Sequence, residues 1–426
     1  MNRPLFFLIA TLCSSWLTAS PESPRPDRLV DSDRVDRALA NLVAEHGLVG
    51  VSGLIYERGE EVYFGAHGYA MREEQRPMRR DTLAYIYSMT KPITGVALMT
   101  LYEEGAFRLD DPLAKYAPEF ADLQVYAGLD DHGDPILEAP HRAPTIRDVT
   151  RHTAGFSRGS GHGENIPLIA EAYQKADPKN DHHTLTEMAE RLGRIPLSFH
   201  PGTRWLYGDS VDIQAFLVER ISGQPFADYV REKIFQPLGM RETAYFIDPE
   251  HDHRRTRIYE RQDDGSFAPE DAAEAAYHLA PRAFTPGGSR LISTLDDYMR
   301  FARMLLNEGE LEGHRILQSS TVRLMASNAL PATLTDSIWL PSKGQMGFGI
   351  DFAVRIASPA TPDENSGEIG EFFWDGRAST LFWVDPVNDI AAVLFAQFLP
   401  FNTVPAHKNF RDAIYWDDLT AAAPRE

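Results

Sequence analysis

Ser88 and Lys91 lie three residues apart in the segment Tyr85–Pro92. Positions three apart share one face of a helix, so the hydroxyl and the amine can meet. Pro92 is tolerated only in or just beyond a first helical turn, and a helix is therefore predicted to begin near Ser88. Free backbone amides at that end would stabilise an oxyanion, and an amine in an apolar pocket can accept the serine proton. The spacing is typical of nucleophilic, covalent catalysis.

The same spacing also occurs in helix caps and surface contacts, so the motif is compatible with a purely structural role. The apolar run Ile93–Glu104 follows at once and predicts a buried helix that ends at Gly105. A lysine at the mouth of a buried helix is costly unless it has a partner. These residues alone leave both roles open.

Further short motifs follow the Ser-x-x-Lys segment in a characteristic order. They are Leu109–Pro112, Thr145–Asp148, His152–Gly155, Pro201-Gly202, Pro237–Met240, Gly287-Gly288, Ser293-Thr294 with Asp297, and Asp385-Pro386. The ordered set resembles the class C β-lactamase-like, or penicillin-binding-protein-like, serine hydrolases over about residues 35–400, including their family VIII esterases. The resemblance implies acyl-enzyme chemistry on Ser88 without a cofactor or a metal.

The resemblance also identifies Tyr207, in Trp205–Ser210, as the tyrosine that works with the lysine. It would shuttle a proton between Ser88 and the leaving group, its phenolate favoured by the ammonium of Lys91. The alternative is a tyrosine that only packs against the next helix. Asp209, a substrate-binding candidate, stands where many members carry Asn. A carboxylate cannot donate an amide hydrogen bond, which weakens the case for β-lactam recognition.

Trp374-Asp375-Gly376-Arg377 resembles the Trp-x-Gly form of the family's third motif, found in its esterases. Gly376 would let the strand backbone approach the acyl group, and the Arg377 amide would join that of Ser88 as an oxyanion donor. Trp374 removes the cation that would bind a β-lactam or peptide carboxylate, although the Arg377 side chain could restore it. The alternative is an edge strand with an aromatic residue on its core side.

The resemblance ranks carboxylic esters first as substrates, ahead of D-amino-acid peptides and β-lactams. Two other readings stay open. One is an acyltransferase with the same Ser88 chemistry, and the other is a non-catalytic sensor that binds peptidoglycan or penicillin.

Two rival signals are present. Gly155–Gly159 matches the Gly-x-Ser-x-Gly nucleophile elbow around Ser157, but that chemistry needs a strand before the serine and a helix after it. A loop is predicted here, so we interpret the match as a coincidence. The histidines in polar loops show no ligand spacing on a helix, and no metal site is predicted. They are His132, His141, His162, His182, His183, His251 and His253.

Strands at both ends of the chain around a helical middle predict one α/β layer built from both termini, with an inserted helical region. The resemblance implies that this is the α+β, β-lactamase/transpeptidase-like fold, a mainly antiparallel sheet flanked by helices with an inserted α-helical domain. Strands are predicted at Val49–Glu57, Glu61–Ala70, Gly347–Val354, Glu371–Trp374, Thr380–Val384 and Ile390–Gln397. Helices are predicted at Val35–His46, Val211–Ile221, Phe226–Ile234, Leu295–Leu306 and about Pro405–Leu419, and Ser157–His183 is predicted to be a loop. Residues 35–92 and 335–426 would form the sheet domain, and residues 93–334 the mainly helical domain.

The composition limits the partners and the compartment. A net charge of −20 argues against nucleic acid or an anionic membrane as a partner, because phosphates would be repelled. Residues 1–20 read as a signal peptide and 21–34 as a linker, which predicts export to the periplasm or beyond without stable membrane insertion after cleavage. The single cysteine, Cys13, lies in that signal, so thiol nucleophiles are excluded from the mature chain. A small ester or amide is the expected partner.

Overall fold

The computed structural model describes residues 28–159, 161, 165–271, 277–334 and 344–421. The predicted signal peptide and the first part of the predicted linker lie outside these residues, as does His162. Seventeen strands are present in the described chain: β1 Gly50–Glu57, β2 Glu60–Met71, β3 Arg76–Pro77, β4 Ala84–Tyr85, β5 Val125–Leu129, β6 Pro135–Glu138, β7 Tyr259–Arg261, β8 Phe267–Pro269, β9 Ile292–Ser293, β10 Glu310–Leu311, β11 His314–Arg315, β12 Met346–Phe348, β13 Ala353–Arg355, β14 Phe372–Asp375, β15 Leu381–Asp385, β16 Ile390–Ala396 and β17 Phe398–Leu399.

The main sheet has eight strands in the order β12-β13-β14-β15-β16-β1-β2-β3, and each neighbouring pair is antiparallel. Strands from both ends of the chain meet at its centre, where Leu54 of β1 lies opposite Val393 of β16. The helices flanking this sheet confirm the predicted fold class. The proposed division into residues 35–92 with 335–426 and residues 93–334 stays a prediction.

The helices of the described chain are α1 Ser32–Ala44, α2 Thr90–Glu103, α3 Ile146–Thr150, α4 Pro167–Ala176, α5 Leu185–Leu192, α6 Ser210–Ser222, α7 Phe226–Val230, α8 Gln236–Leu238, α9 Leu295–Leu306, α10 Ser319–Met325 and α11 Ala406–Ala421. A π-helical turn, Arg231–Phe235, links α7 to α8. Short 3-10 turns precede α2 and occur in several loops.

Helices cover both faces of the sheet. Successive residues of a strand point to opposite faces. In β15, the Trp383 ring lies 5.4 Å from the Phe410 ring of α11, whereas the neighbouring Phe382 ring lies 5.0 Å from the Tyr298 ring of α9. Every residue of the central β16 is buried, which explains its continuous apolar sequence.

Three local predictions were wrong. The predicted strand Gly347–Val354 is the hairpin β12–β13, because the chain turns at residues 349–352, where Asp351 has φ +58°. Helix α1 begins at Ser32, inside the predicted linker, because Asp31 caps it by accepting a hydrogen bond from Arg34 N at 3.1 Å. The predicted loop Ser157–His183 contains α4, which begins with a proline, a residue favoured in a first helical turn.

Candidate active site

Ser88 and Lys91 are brought together at the start of α2. A 3-10 turn, Tyr87–Met89, carries the serine, and α2 begins at the following residue. Lys91 Nζ donates hydrogen bonds to Ser88 Oγ at 3.1 Å and to the carbonyl oxygen of Gly288 at 2.6 Å. Lys91 is only 5% exposed. The amine therefore has a fixed position next to the hydroxyl.

Burial lowers the pKa of the Lys91 amine to about 7, because the charged form is poorly solvated there. The nearby cations Arg158 and Lys179 lower this pKa further, whereas Asp212 and Asp351 raise it. About half of the lysine is thus neutral at neutral pH. A neutral amine within hydrogen-bonding distance of a serine hydroxyl can act as its general base.

Tyr207 completes the group from the turn before α6. The centre of the Tyr207 ring lies 4.6 Å from Lys91 Nζ. The Tyr207 side chain also forms a hydrogen bond with the side chain of Ser88. Trp374 Nε1 donates a hydrogen bond to Tyr207 Oη at 3.2 Å. The three predicted catalytic side chains, Ser88, Lys91 and Tyr207, therefore lie together.

The ionisation of Tyr207 differs from the sequence-based prediction. Burial raises its pKa to about 12, and the hydrogen bonds from Ser88 and Trp374 and the charge of Arg158 offset only part of that rise. The expected phenolate is therefore disfavoured at neutral pH. A neutral phenol can still pass a proton on, and the lower pKa makes Lys91 the stronger candidate for the base.

Trp374 and Gly376 come from the β14–β15 hairpin. Trp374 pairs with Phe382 across the two strands, so both side chains lie on the face of the sheet that packs against α9, and Tyr207 contacts Trp374 on that face. The hairpin lies inside the sheet, between β13 and β16, and is not the edge strand considered as an alternative. A Cβ atom on Gly376 would lie 2.5 Å from the carbonyl oxygen of Ile86. Glycine thus allows the hairpin to approach the backbone that carries the nucleophile.

Arg377 follows Gly376 in the turn, and its side chain is exposed. The closeness of this turn to Ile86 places the Arg377 residue near the start of the nucleophile turn. That position is compatible with the predicted pairing of the Arg377 and Ser88 amides as oxyanion donors.

Asp209 is placed differently from its predicted role in substrate binding. Its carboxylate accepts hydrogen bonds from Lys179 Nζ, at 3.0 Å, and from the Tyr173 hydroxyl. The residue is 1% exposed. We therefore correct that prediction: the side chain belongs to a buried ion pair next to the site and is not presented to a substrate.

Sequence reasoning missed the group of titratable residues around Lys91, formed by Arg158, Lys179, Asp212 and Asp351. Burial raises the pKa of the Asp351 carboxyl well above its usual value, whereas that of Asp212 is lowered. Lys179 lies between the carboxylates of Asp209 and Asp212. Asp212 lies on α6 five residues after Tyr207, but Lys179 comes from the chain after α4, which was predicted to be loop. Only the scarcity of lysine in this chain pointed to it, since lysine accounts for seven of the 42 basic residues.

Ser157 does not lie in a nucleophile elbow. The described residues on either side of it, 154–159, form neither strand nor helix. Ser157 Oγ accepts a hydrogen bond from Gly159 N at 2.9 Å, as in a local turn. The loop geometry agrees with our interpretation of this motif as a coincidence.

One cluster in the described chain, Glu138, His141 and His200, has ligand atoms within 4.8 Å of one another. The two imidazole rings are stacked, with centres 3.5 Å apart. His200 Nδ1 accepts the backbone N–H of His141, so its proton is on Nε2, which lies 2.9 Å from Glu138 Oε1. A metal bound to His200 Nε2 would require the ring proton to be on Nδ1 instead, where it would face the backbone N–H of His141. The cluster is better explained by hydrogen bonding, and the absence of a metal site stays a prediction.

None of the helices in the described part of the chain combines the length and the apolar character that crossing a membrane requires.

Comparison with known proteins assigns the family. Residues 35–415 match the Beta-lactamase family. Protein Rv1367c of Mycobacterium tuberculosis is 33% identical, with 85% of this chain and 90% of that protein covered. Esterase EstB of Burkholderia gladioli is 33% identical over 63% of this chain and 68% of its own length. The solved structure of EstCE1, a hydrolase with promiscuous acyltransferase activity, has a TM-score of 0.73 at 23% identity, covering 90% of this chain and 98% of that one. This chain belongs to the Beta-lactamase family and is a serine hydrolase with that family's fold.

Proposed function

We propose that this enzyme hydrolyses carboxylic esters through an acyl-enzyme on Ser88, with Lys91 as general base and Tyr207 as proton carrier. The observation that carries the proposal is the 3.1 Å hydrogen bond between the Ser88 hydroxyl and a buried amine whose pKa is about 7. A serine is a weak nucleophile until a nearby base accepts its proton, and this amine is neutral enough to do so.

In the first half-reaction, Ser88 Oγ attacks the ester carbonyl carbon while its proton moves to neutral Lys91. The carbonyl oxygen becomes an oxyanion, which the backbone amides of Ser88 and Arg377 would hold. Collapse of this intermediate breaks the bond to the alcohol oxygen. The phenol of Tyr207 donates its proton to that oxygen and regains one from the Lys91 ammonium. Water then attacks the acyl carbon and gives a proton to Tyr207, which passes its own to Lys91. The bond between the acyl carbon and Ser88 Oγ breaks, the acid leaves, and the Lys91 ammonium returns a proton to Ser88.

The third motif supports an ester as the substrate. Trp374 contributes an uncharged indole, fully buried, whose N–H is used by Tyr207. No charge from this residue is available for a β-lactam or peptide carboxylate. EstB, named an esterase, is 33% identical. D-amino-acid peptides and β-lactams therefore rank below simple esters.

The experiment compares turnover of short p-nitrophenyl esters, nitrocefin and D-alanyl amides by the purified enzyme. Esters should be cleaved fastest, and a clear preference for nitrocefin over every ester would overturn the ranking. Ser88→Ala should abolish ester cleavage and labelling by a fluorophosphonate. Ser157→Ala is the matched control and should keep both. Absence of acylation at Ser88 in the folded protein would favour a non-catalytic sensor instead.

A second candidate is acyl transfer, in which an alcohol replaces water in the second half-reaction. EstCE1, a hydrolase with promiscuous acyltransferase activity, has a similar fold. Adding increasing amounts of a small alcohol and measuring the ratio of new ester to free acid separates the two functions. A ratio that stays near zero at high alcohol concentration excludes transfer as the main activity.

We also propose export to the periplasm or the exterior. The support is the apolar run between Leu5 and Leu17 after Arg3. Cell fractionation with N-terminal sequencing of the mature protein tests this, and an intact N-terminus in the cytoplasm would refute it.

A further inference from the structure

The backbone of Gly288 connects Lys91 with a carboxylate on α6. The carbonyl oxygen of Gly288 accepts the hydrogen bond from Lys91 Nζ at 2.6 Å, and its N–H donates to Asp212 Oδ1, also at 2.6 Å. Asp212 is 1% exposed. Both polar groups of this one residue are therefore used, one by the amine and one by the acid.

Gly287 and Gly288 are packed so closely against their neighbours that there is no room for a side chain at either position. A Cβ atom on Gly288 would lie 2.9 Å from Asp212 Oδ1, and one on Gly287 would lie 2.4 Å from the carbonyl oxygen of Val211. The Thr94 hydroxyl of α2 donates to the carbonyl oxygen of Gly287 at 2.8 Å. The glycine pair is thus held between α2, which carries Lys91, and α6, which carries Asp212.

Asp212 is a fixed negative charge. Burial alone would raise the pKa of its carboxyl, but the adjacent ammonium of Lys179, that of Lys91 and the Gly288 N–H together lower it. Lys179 in turn bonds both Asp212 and Asp209. The carboxylate is therefore ionised and held on both oxygens.

We propose that Asp212 is a positioning residue of the reaction, which fixes through Gly288 the carbonyl oxygen that holds the Lys91 amine against Ser88. The inference rests on the proposed function, since it matters only if Lys91 is the base. Asp212 does not touch the reacting atoms. Its part is to hold the amine in place and to supply one of the charges that surround it.

The titratable groups that face Lys91 come from four parts of the chain: Arg158 from the loop after α3, Lys179 from the loop after α4, Asp212 from α6, and Asp351 from the β12–β13 turn. Burial raises the pKa of Asp351 well above its usual value, so Asp212 is the acid that stays ionised. Asp212 favours the ammonium form. Its removal should therefore move the acid limb of the pH–rate profile to lower pH. A purely structural role for Asp212 would leave that limb in place.

Two substitutions of Asp212 separate position from charge. Asp212→Asn keeps an oxygen acceptor for the Gly288 N–H and should retain kcat within about tenfold, with the acid limb of kcat/KM shifted down by about one pH unit. Asp212→Ala removes the acceptor and should lower kcat about 100-fold with KM nearly unchanged, because small displacements of a catalytic group have effects of that size.

The matched control is Asp297→Asn. Asp297 is also a buried acid on a helix, and it accepts hydrogen bonds from Glu242 N at 2.8 Å and Thr243 Oγ1 at 2.9 Å. This variant should leave kcat and the pH profile of the folded enzyme unchanged, whatever happens to its melting temperature.

The result that overturns the inference is an acid limb in Asp212→Asn that coincides with that of the wild type. This readout needs only the near-isosteric variant, so it holds even if Asp212→Ala does not fold. A shift of the same size in Asp297→Asn would also overturn it. Ser88→Ala, measured alongside, separates a failure of the proposed function from a failure of this inference. Full activity of Ser88→Ala refutes the proposed function itself. An inactive Ser88→Ala together with an unshifted acid limb in Asp212→Asn refutes only the positioning role.

Discussion

Replacing Lys91 by Met should make the protein more stable below neutral pH while it abolishes the activity. The pKa of this lysine falls from the 10.5 of a free side chain to about 7 in the folded protein. The unfolded chain therefore binds one more proton than the folded chain between those two pH values. Below pH 7 the buried lysine destabilises the fold by roughly 5 kcal/mol, at about 1.36 kcal/mol per pKa unit.

Met has a similar length and no charge, so it removes that cost. It also leaves the carbonyl oxygen of Gly288 without its donor, at a cost of about 1–3 kcal/mol. Lys91→Met should therefore be about 2–4 kcal/mol more stable than the wild type at pH 6.5. Stability of the wild type rises with pH above 7, so the advantage should shrink by about 1.4 kcal/mol per pH unit and vanish near pH 9.

The assay is urea unfolding at pH 6.5, 7.5, 8.5 and 9.5. Lys115→Met is the matched control: its side chain is 55% exposed and paired with Asp111. The hydrogen bonds that the Lys115 ammonium donates to Tyr116 and Asp111 raise its pKa, so it stays charged over this pH range and its replacement should show no such slope. A Lys91→Met protein that is less stable at pH 6.5, or whose difference from the wild type does not change with pH, would refute the reasoning.

Three further outcomes are expected. The kcat/KM for esters should be about tenfold lower at pH 6 than at pH 8, because the neutral fraction of Lys91 falls from about ten elevenths to one eleventh; a steady-state pH profile tests this. Trp374→Phe removes the donor to Tyr207 and should lower the pre-steady-state acylation rate roughly three- to tenfold, and an unchanged rate would contradict the role of that hydrogen bond. Gly376→Ala places a Cβ atom 2.5 Å from the carbonyl oxygen of Ile86, so both the melting temperature and the acylation rate should fall. Wild-type values for both would show that the hairpin can move to make room for the methyl group.

The sequence was most informative where local rules act. The apolar run after Ser88 predicted α2, the Ser-x-x-Lys spacing predicted the contact between the hydroxyl and the amine, and runs of β-type residues predicted most strands of the sheet. These features depend on helix and strand periodicity, which neighbouring residues determine. They were sufficient for the arrangement of strands and helices and for the contact between Ser88 and Lys91. The catalytic reading of that pair came from the ordered set of motifs, because the residues alone also allowed a structural role.

The charges around Lys91 could not be predicted because they depend on long-range packing. Lys179, Asp212 and Asp351 come from separate parts of the chain and meet Lys91 only in the folded protein. The prediction of a Tyr207 phenolate was wrong for a related reason. Sequence shows that a lysine is nearby, but the degree of burial, which raises the pKa to about 12, is a property of the completed core.

The pairing of β1 with β16 has a consequence for biosynthesis. Val51 lies opposite Ala396, so the N-terminal hairpin has no partner on its inner edge until almost the whole chain has been made. Closing so long a loop is entropically costly and slows folding. The unpaired edge of β1 is meanwhile open to association with other chains. Synthesis of this enzyme is therefore expected to require protection of that edge, and fragments that end before β16 should aggregate.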